Sequence, residues 1–105
     1  MAVKGYLPIN TEHPIMIPAG SKILDVKLRD NMSIEASIMY GRDPQQPGVM
    51  DEISFTAIGE GMEVDIKKWA YAGNIMIGKT EISVFYKIKY AVKDTRVKET
   101  HKLWQ

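Results

Sequence analysis

The sequence predicts a mainly β protein: a single antiparallel sheet of six to eight strands, curled into a small barrel or sandwich, with one short helix as the only competing element. Three observations carry this expectation. Apolar residues recur with period 2 in several segments, no stretch of a dozen residues sustains a 3.6-residue period, and turn-forming residues interrupt the chain at short intervals. The 105 residues are expected to form one domain, residues 1–105, in which 89–105 add a C-terminal extension strand.

Taken in order, residues 22–28 read as a strand because Leu24, Val26 and Leu28 alternate with Asp25 and Lys27. Residues 32–41 follow, with Met32, Ile34, Ala36, Ile38 and Tyr40 on one face and Ser33, Glu35 and Ser37 on the other. Arg29-Asp30-Asn31 is short and polar enough for a hairpin turn, which pairs these two strands antiparallel. Two prolines and a glycine between residues 42 and 48 exclude regular structure and predict an exposed tip. Further strands are expected at 53–58, 62–67, 69–77 and 96–104, with the short helix competing near 64–72. The clearest pattern is Ile82, Val84, Tyr86, Ile88, Tyr90 and Val92 on one face against Ser83, Lys87, Lys89 and Lys93, with Phe85 as the exception. Gly59-Glu60-Gly61, Gly78-Lys79 and Lys93-Asp94-Thr95 separate the strands.

Composition narrows the function classes. With 45% apolar and 26% charged residues the chain has the apolar surface an ordered core requires. It has no cysteine, which excludes disulfides, thiolate metal sites and a cysteine nucleophile. Residues 1–10 are interrupted by Lys4, Gly5 and Pro8, so they read neither as a signal peptide nor as a membrane span, and a cytosolic location is expected, with no membrane partner. The net charge is +1, but residues 1–66 carry five Lys or Arg against ten Asp or Glu, and residues 67–105 carry nine against three. Such halves neutralise each other within one molecule, offer a basic face to an anion, or meet head to tail in an oligomer.

Gly73-Asn-Ile-Met-Ile-Gly78-Lys79-Thr80 matches the phosphate-loop pattern literally. That chemistry needs backbone N–H groups leading into a helix N-terminus, whereas the residues after Thr80 alternate as a strand, so the match reads as a strand and a tight turn. His13 and His101 lack a partner at ligand or triad spacing, and the carboxylate pairs Asp51-Glu52 and Glu63/Asp65 read as solvent-facing charges. No catalytic residue, metal ligand or cofactor is therefore expected. Gly59 and Gly61 permit positive φ around Glu60, as a bulge or as a nest of N–H groups for an anion. With Lys67, Lys68 and Trp69 they form the candidate ligand site. Pro44, Gln45, Gln46 and Pro47, together with Arg96, Lys98, Lys102 and Trp104, form the candidate interaction surface. Lysines interleaved with Trp69, Tyr71, Tyr86, Tyr90 and Trp104 meet the compositional description of a nucleic-acid surface. The period places Tyr86 and Tyr90 opposite Lys87 and Lys89, so the aromatics are expected in the core, which argues against nucleic acid as a partner.

From Pro14 to about Ile88 the order of features resembles an uncharacterised family of small phage-encoded domains. The segment Ile17-Pro18-Ala19-Gly20-Ser21-Lys22-Ile23-Leu24-Asp25-Val26 matches its Met-Pro-x-Gly-Ala-Lys-Ile-Leu-x-Val signature. Ile58-Gly59-Glu60-Gly61 stands near its Gly-Thr-Gly-His, Tyr71-Ala72-Gly73 matches its Tyr-x-Gly-Thr, and Val84-Phe85-Tyr86 falls on its closing aromatic strand. The chain departs from it in lacking the Trp-Lys-Tyr-like start, in Glu60 and Met62 where Thr and His are usual, and in extending through residues 89–105. The resemblance implies phage origin and a compact β-fold, and transfers no catalytic or binding residue. The expected function is non-catalytic: a virion-associated structural or accessory component of head or tail, acting through protein contacts as a homo-oligomer or with other phage proteins, in the host cytoplasm or within the particle. The alternative is an intracellular counter-defence or host-takeover protein that sequesters a small nucleotide or blocks a host enzyme.

Overall fold

The computed structural model describes residues 2–29, 33–42 and 48–90. These hold seven strands: β1 (Val3–Pro8), β2 (Ile15–Pro18), β3 (Lys22–Leu28), β4 (Ile34–Tyr40), β5 (Met50–Ile58), β6 (Ala70–Ile77) and β7 (Thr80–Lys89). The strands form two antiparallel sheets, ordered β1-β4-β3 and β2-β5-β7-β6. The strand number agrees with the expectation, but the single curled sheet is corrected: there are two sheets, and they do not close into a barrel. Neither β1 nor β2 was legible as a strand. Gly5 and Pro8 break the pattern of the first, and the second is four residues bounded by Pro14 and Pro18. Both lie at sheet edges, where proline is tolerated because one side of the strand needs no hydrogen-bonded partner.

Period 2 sends one face of each sheet into a shared core. Val26, Ala36 and Ile38 come from the three-stranded sheet, and Ile17, Ile53, Phe55, Ala72, Ile75 and Val84 from the other. Ile38, Ile53 and Val84 are fully buried, each worth about 1.5–3 kcal/mol in surface removed from water. Tyr40 lies across Gly5 and fills the space a side chain would occupy there. Its partial burial raises the phenol's pKa above the usual 10.0.

Two bulges change the faces read from sequence. The β3–β4 register slips between Ile23 and Asp25, so Ile23 stands opposite Ile38 and Val26 opposite Ala36. Leu24, expected to share a face with Val26 and Leu28, is the extra residue and is exposed. In β6 the register slips between Tyr71 and Gly73, leaving Ala72 as the extra residue. Asp51, expected to face solvent, points inward opposite Ile17 and is buried.

The connections explain the remaining corrections. β5 and β6 are each antiparallel to β7, so they run in the same direction, and the chain between them must return along the sheet. Residues 59–69 make that return, so neither the strand expected at 62–67 nor the helix near 64–72 forms. Instead Asp65 nucleates one isolated turn: its carbonyl accepts from Lys68 N (2.9 Å) and Trp69 N (3.0 Å), and its Oδ1 accepts from Lys67 N (3.0 Å). The phosphate-loop pattern is, as expected, a hairpin: Ile77 pairs with Thr80 across Gly78-Lys79, with Gly78 at φ +63°.

The Pro18–Ser21 segment forms the corner between β2 and β3. Pro18 O accepts from Ser21 N (3.2 Å), closing a turn whose third residue, Gly20, has φ +84°. Ser21 Oγ donates to Pro18 O (2.6 Å) and accepts from Gly41 N (3.0 Å), tying the β2–β3 corner to the end of β4. The antiparallel β3–β4 pair is present as expected, with Arg29 N donating to Ser33 O (2.8 Å) at its end. Asp30 and Asn31 of the expected turn, Pro44, Gln45, Gln46 and Pro47 of the tip, and the strand at 96–104 lie outside the described residues.

Candidate binding face

The outer face of the four-stranded sheet gathers aromatic and polar side chains that contact one another. With Ile53, Phe55 and Val84 inward, alternation turns Ser54 and Thr56 of β5 and Ser83, Phe85 and Lys87 of β7 outward. Tyr71 is the cross-strand partner of Phe85, and Asn74, beyond the Ala72 bulge, is the partner of Ser83. The bulge restores the outward set after an extra residue has gone inward, so Trp69, Tyr71, Asn74 and Met76 follow one another along this side.

Contacts across β6 and β7 hold these groups in place. The Tyr71 and Phe85 rings meet edge to face, centroids 5.5 Å apart at 65°, a geometry worth about 0.5–1.5 kcal/mol beyond burial. Lys87 Nζ lies 4.6 Å from the centre of the Trp69 ring. Tyr71 Oη donates to Asn74 Oδ1 (2.7 Å), Ser83 Oγ donates to the same oxygen (2.9 Å), and Asn74 Nδ2 donates to Glu81 Oε2 (2.9 Å). Each polar group is thereby oriented although it stands at the surface.

Two clefts flank this array. The first, about 190 Å³, lies between the 10–14 loop and Trp69, with Ser54 and Lys87 between them. Asn10 Oδ1 shapes its loop by accepting from Glu12 N (2.8 Å) and His13 N (3.1 Å), which brings His13 to the cleft. The second, about 580 Å³, is lined by Gly59, Glu60, Lys79, Thr80, Glu81 and Ser83.

The six residues of the sequence-derived ligand site are divided by this geometry. Gly59 and Glu60 line the second cleft, Trp69 lines the first, and Lys67 and Lys68 are exposed on the single turn and line neither. Gly61, at φ +83°, belongs to a turn in which Met62 N donates to Gly59 O (3.1 Å). Gly59 N donates to Met62 Sδ (3.2 Å), so that N–H is engaged within the turn rather than turned to an anion. The interaction-surface residues Pro44, Gln45, Gln46, Pro47, Arg96, Lys98, Lys102 and Trp104 lie outside the described residues.

The expectation that the aromatics fill the core is corrected in part. Tyr86 packs against it, but Tyr71 and Tyr90 are exposed; Phe85, the exception in the alternation, stands on the same face as Lys87. Sequence reasoning marked Phe85 as a break in the alternation without finding its partner, because the Ala72 bulge hides the register that joins it to Tyr71. Among the described residues no three His, Asp or Glu side chains converge in a metal-binding group, and no helix is long and apolar enough to cross a membrane. Compared with protein-family models, curated proteins and solved structures, the chain matches none.

Proposed function

We propose that the chain is a non-catalytic, phage-encoded accessory protein that acts through protein contacts, as a virion-associated component of head or tail. The observation that carries this reading is the outer edge of β1. Among the described residues β1 pairs with β4 alone, which leaves the other side of its backbone open, and Val3 and Tyr6 are exposed along it. Such an edge receives a strand from a neighbour: main-chain hydrogen bonds supply affinity and alternate side chains supply specificity. Phage origin rests on the signature at residues 17–26.

The nucleotide-sequestering alternative is less well supported, since its cationic and glycine residues are divided between surfaces, and Glu60 and Glu81 line the second cleft. The test is quantitative mass spectrometry of purified particles from the encoding phage, with native mass of the isolated chain beside it. Stoichiometric presence in particles, reduced by Tyr6→Lys, is the expected result. A chain found only in the soluble lysate, with particles complete without it, would overturn the virion assignment.

A further inference from the structure

We infer that the outer face of the β6–β7 hairpin, with the cleft beside Trp69, is a binding site for an oligosaccharide. The inference is independent of the virion assignment and of the β1 edge.

A sugar ring presents one apolar C–H face and a rim of hydroxyls that both donate and accept. Recognition therefore requires an exposed aromatic surface next to polar groups of both kinds, held in fixed directions. Tyr71 supplies the surface: it is 57% exposed, and Phe85, edge-on at 5.5 Å, restricts how it turns. Trp69, backed by Lys87, supplies a second ring at the wall of the 190 Å³ cleft. Between and beyond the rings stand the polar groups. Asn74 retains a second N–H after donating to Glu81, the Glu81 carboxylate retains acceptor capacity, and Ser54 presents a hydroxyl beside Lys87. Because Tyr71, Asn74, Ser83 and Glu81 are already hydrogen-bonded to one another, their ordering is not charged against binding, which is the advantage of a preorganised site.

Charge selects the sugar over the other ligand that stacks on aromatic rings. Single-stranded nucleic acid needs a cationic track for its phosphates. Here Lys87 and Lys89, with Lys79 at the second cleft, are accompanied by Glu12 at the first cleft, Glu52 opposite Lys89, and Glu60 and Glu81 at the second cleft. Four carboxylates among three ammonium groups leave no continuous cationic track for a polyanion, whereas each of them accepts from or donates to a hydroxyl.

The experiment applies the full-length protein to a microarray of bacterial surface polysaccharides and their oligosaccharide fragments, then titrates the strongest binder by NMR. The expected result is retention by at least one glycan, with shifts concentrated on the Trp69 indole, the Asn74 side-chain amide and the β6–β7 backbone. Tyr71→Ser and Asn74→Ala, both at exposed positions, are each expected to weaken binding by about tenfold. Leu24→Ala, at an exposed position on the other sheet, should leave it unchanged. Retention by no glycan above an albumin control overturns the inference, as does binding that neither variant alters. Salt-sensitive retention of a mixed-sequence single-stranded DNA, with no glycan bound, would assign the face to nucleic acid instead.

Discussion

The backbone of β6 approaches β3 so closely at Gly73 that a Cβ placed there would lie 3.0 Å from Val26 Cγ2 and 3.4 Å from Val26 N. This contact is where the edge of one sheet meets the edge of the other, and it explains why the Tyr71-Ala72-Gly73 segment ends in glycine.

Any side chain at Gly73 is therefore expected to push the sheets apart. Gly73 also holds φ +154°, a conformation that L-residues rarely adopt. Gly73→Val should lose about 1–3 kcal/mol in urea unfolding, and adding Val26→Ala should restore part of the loss, since the two residues are in contact. Equal losses with and without Val26→Ala would mean that backbone conformation alone makes glycine necessary.

Ser21 reports on the corner that joins the sheets. Ser21→Ala removes the hydroxyl that accepts from Gly41 N, leaving a partly buried N–H without its partner, at a cost of about 1–3 kcal/mol. The Pro18–Ser21 backbone turn does not need the hydroxyl, so the variant should still fold. Faster hydrogen exchange at the Gly41 amide, with unchanged protection at Ala36, is the expected signature.

One core spanning both sheets predicts one unfolding transition. Ile38→Ala in β4 and Ile53→Ala in β5 each empty a fully buried site and should each cost about 2–5 kcal/mol. Fluorescence and far-ultraviolet circular dichroism should move together in both variants. Separate transitions for the two would show that the sheets fold independently.

Alkaline stability follows from Tyr40. Its pKa is raised in the folded state by burial, so the folded chain holds the phenolic proton more tightly than the unfolded chain does. The stability so contributed is fully present below the unfolded value near 10 and is lost as pH rises through the folded value. Tyr40→Phe should flatten that part of the decline in unfolding free energy above pH 10, and an unchanged slope would place the cause elsewhere.

Much of the strand inventory is legible in the residues themselves. The alternation of Ile34, Ala36, Ile38 and Tyr40, and of Ile82, Val84, Tyr86 and Ile88, already states which side of β4 and β7 is apolar, and the structure turns those sides inward. The candidate site was far less legible. Trp69 stands out in the sequence, but its neighbour Lys87 belongs to another strand, and the pairing of Tyr71 with Phe85 depends on a register that the Ala72 bulge shifts by one residue. Gly59 and Lys67 are eight residues apart in sequence, yet the return connection carries them to different surfaces.

What the residues alone determined is local: period 2, the hairpin at Gly78-Lys79, and the absence of cysteine chemistry. Division into two sheets, the inward turn of Asp51, the exposure of Leu24 and the gathering of Trp69, Tyr71, Phe85 and Lys87 on one face were decided by packing. The reason is that a strand's side-chain direction reverses with every residue, so one bulge exchanges buried for exposed, and bulges arise where sheets must twist and meet rather than where the local sequence prefers them.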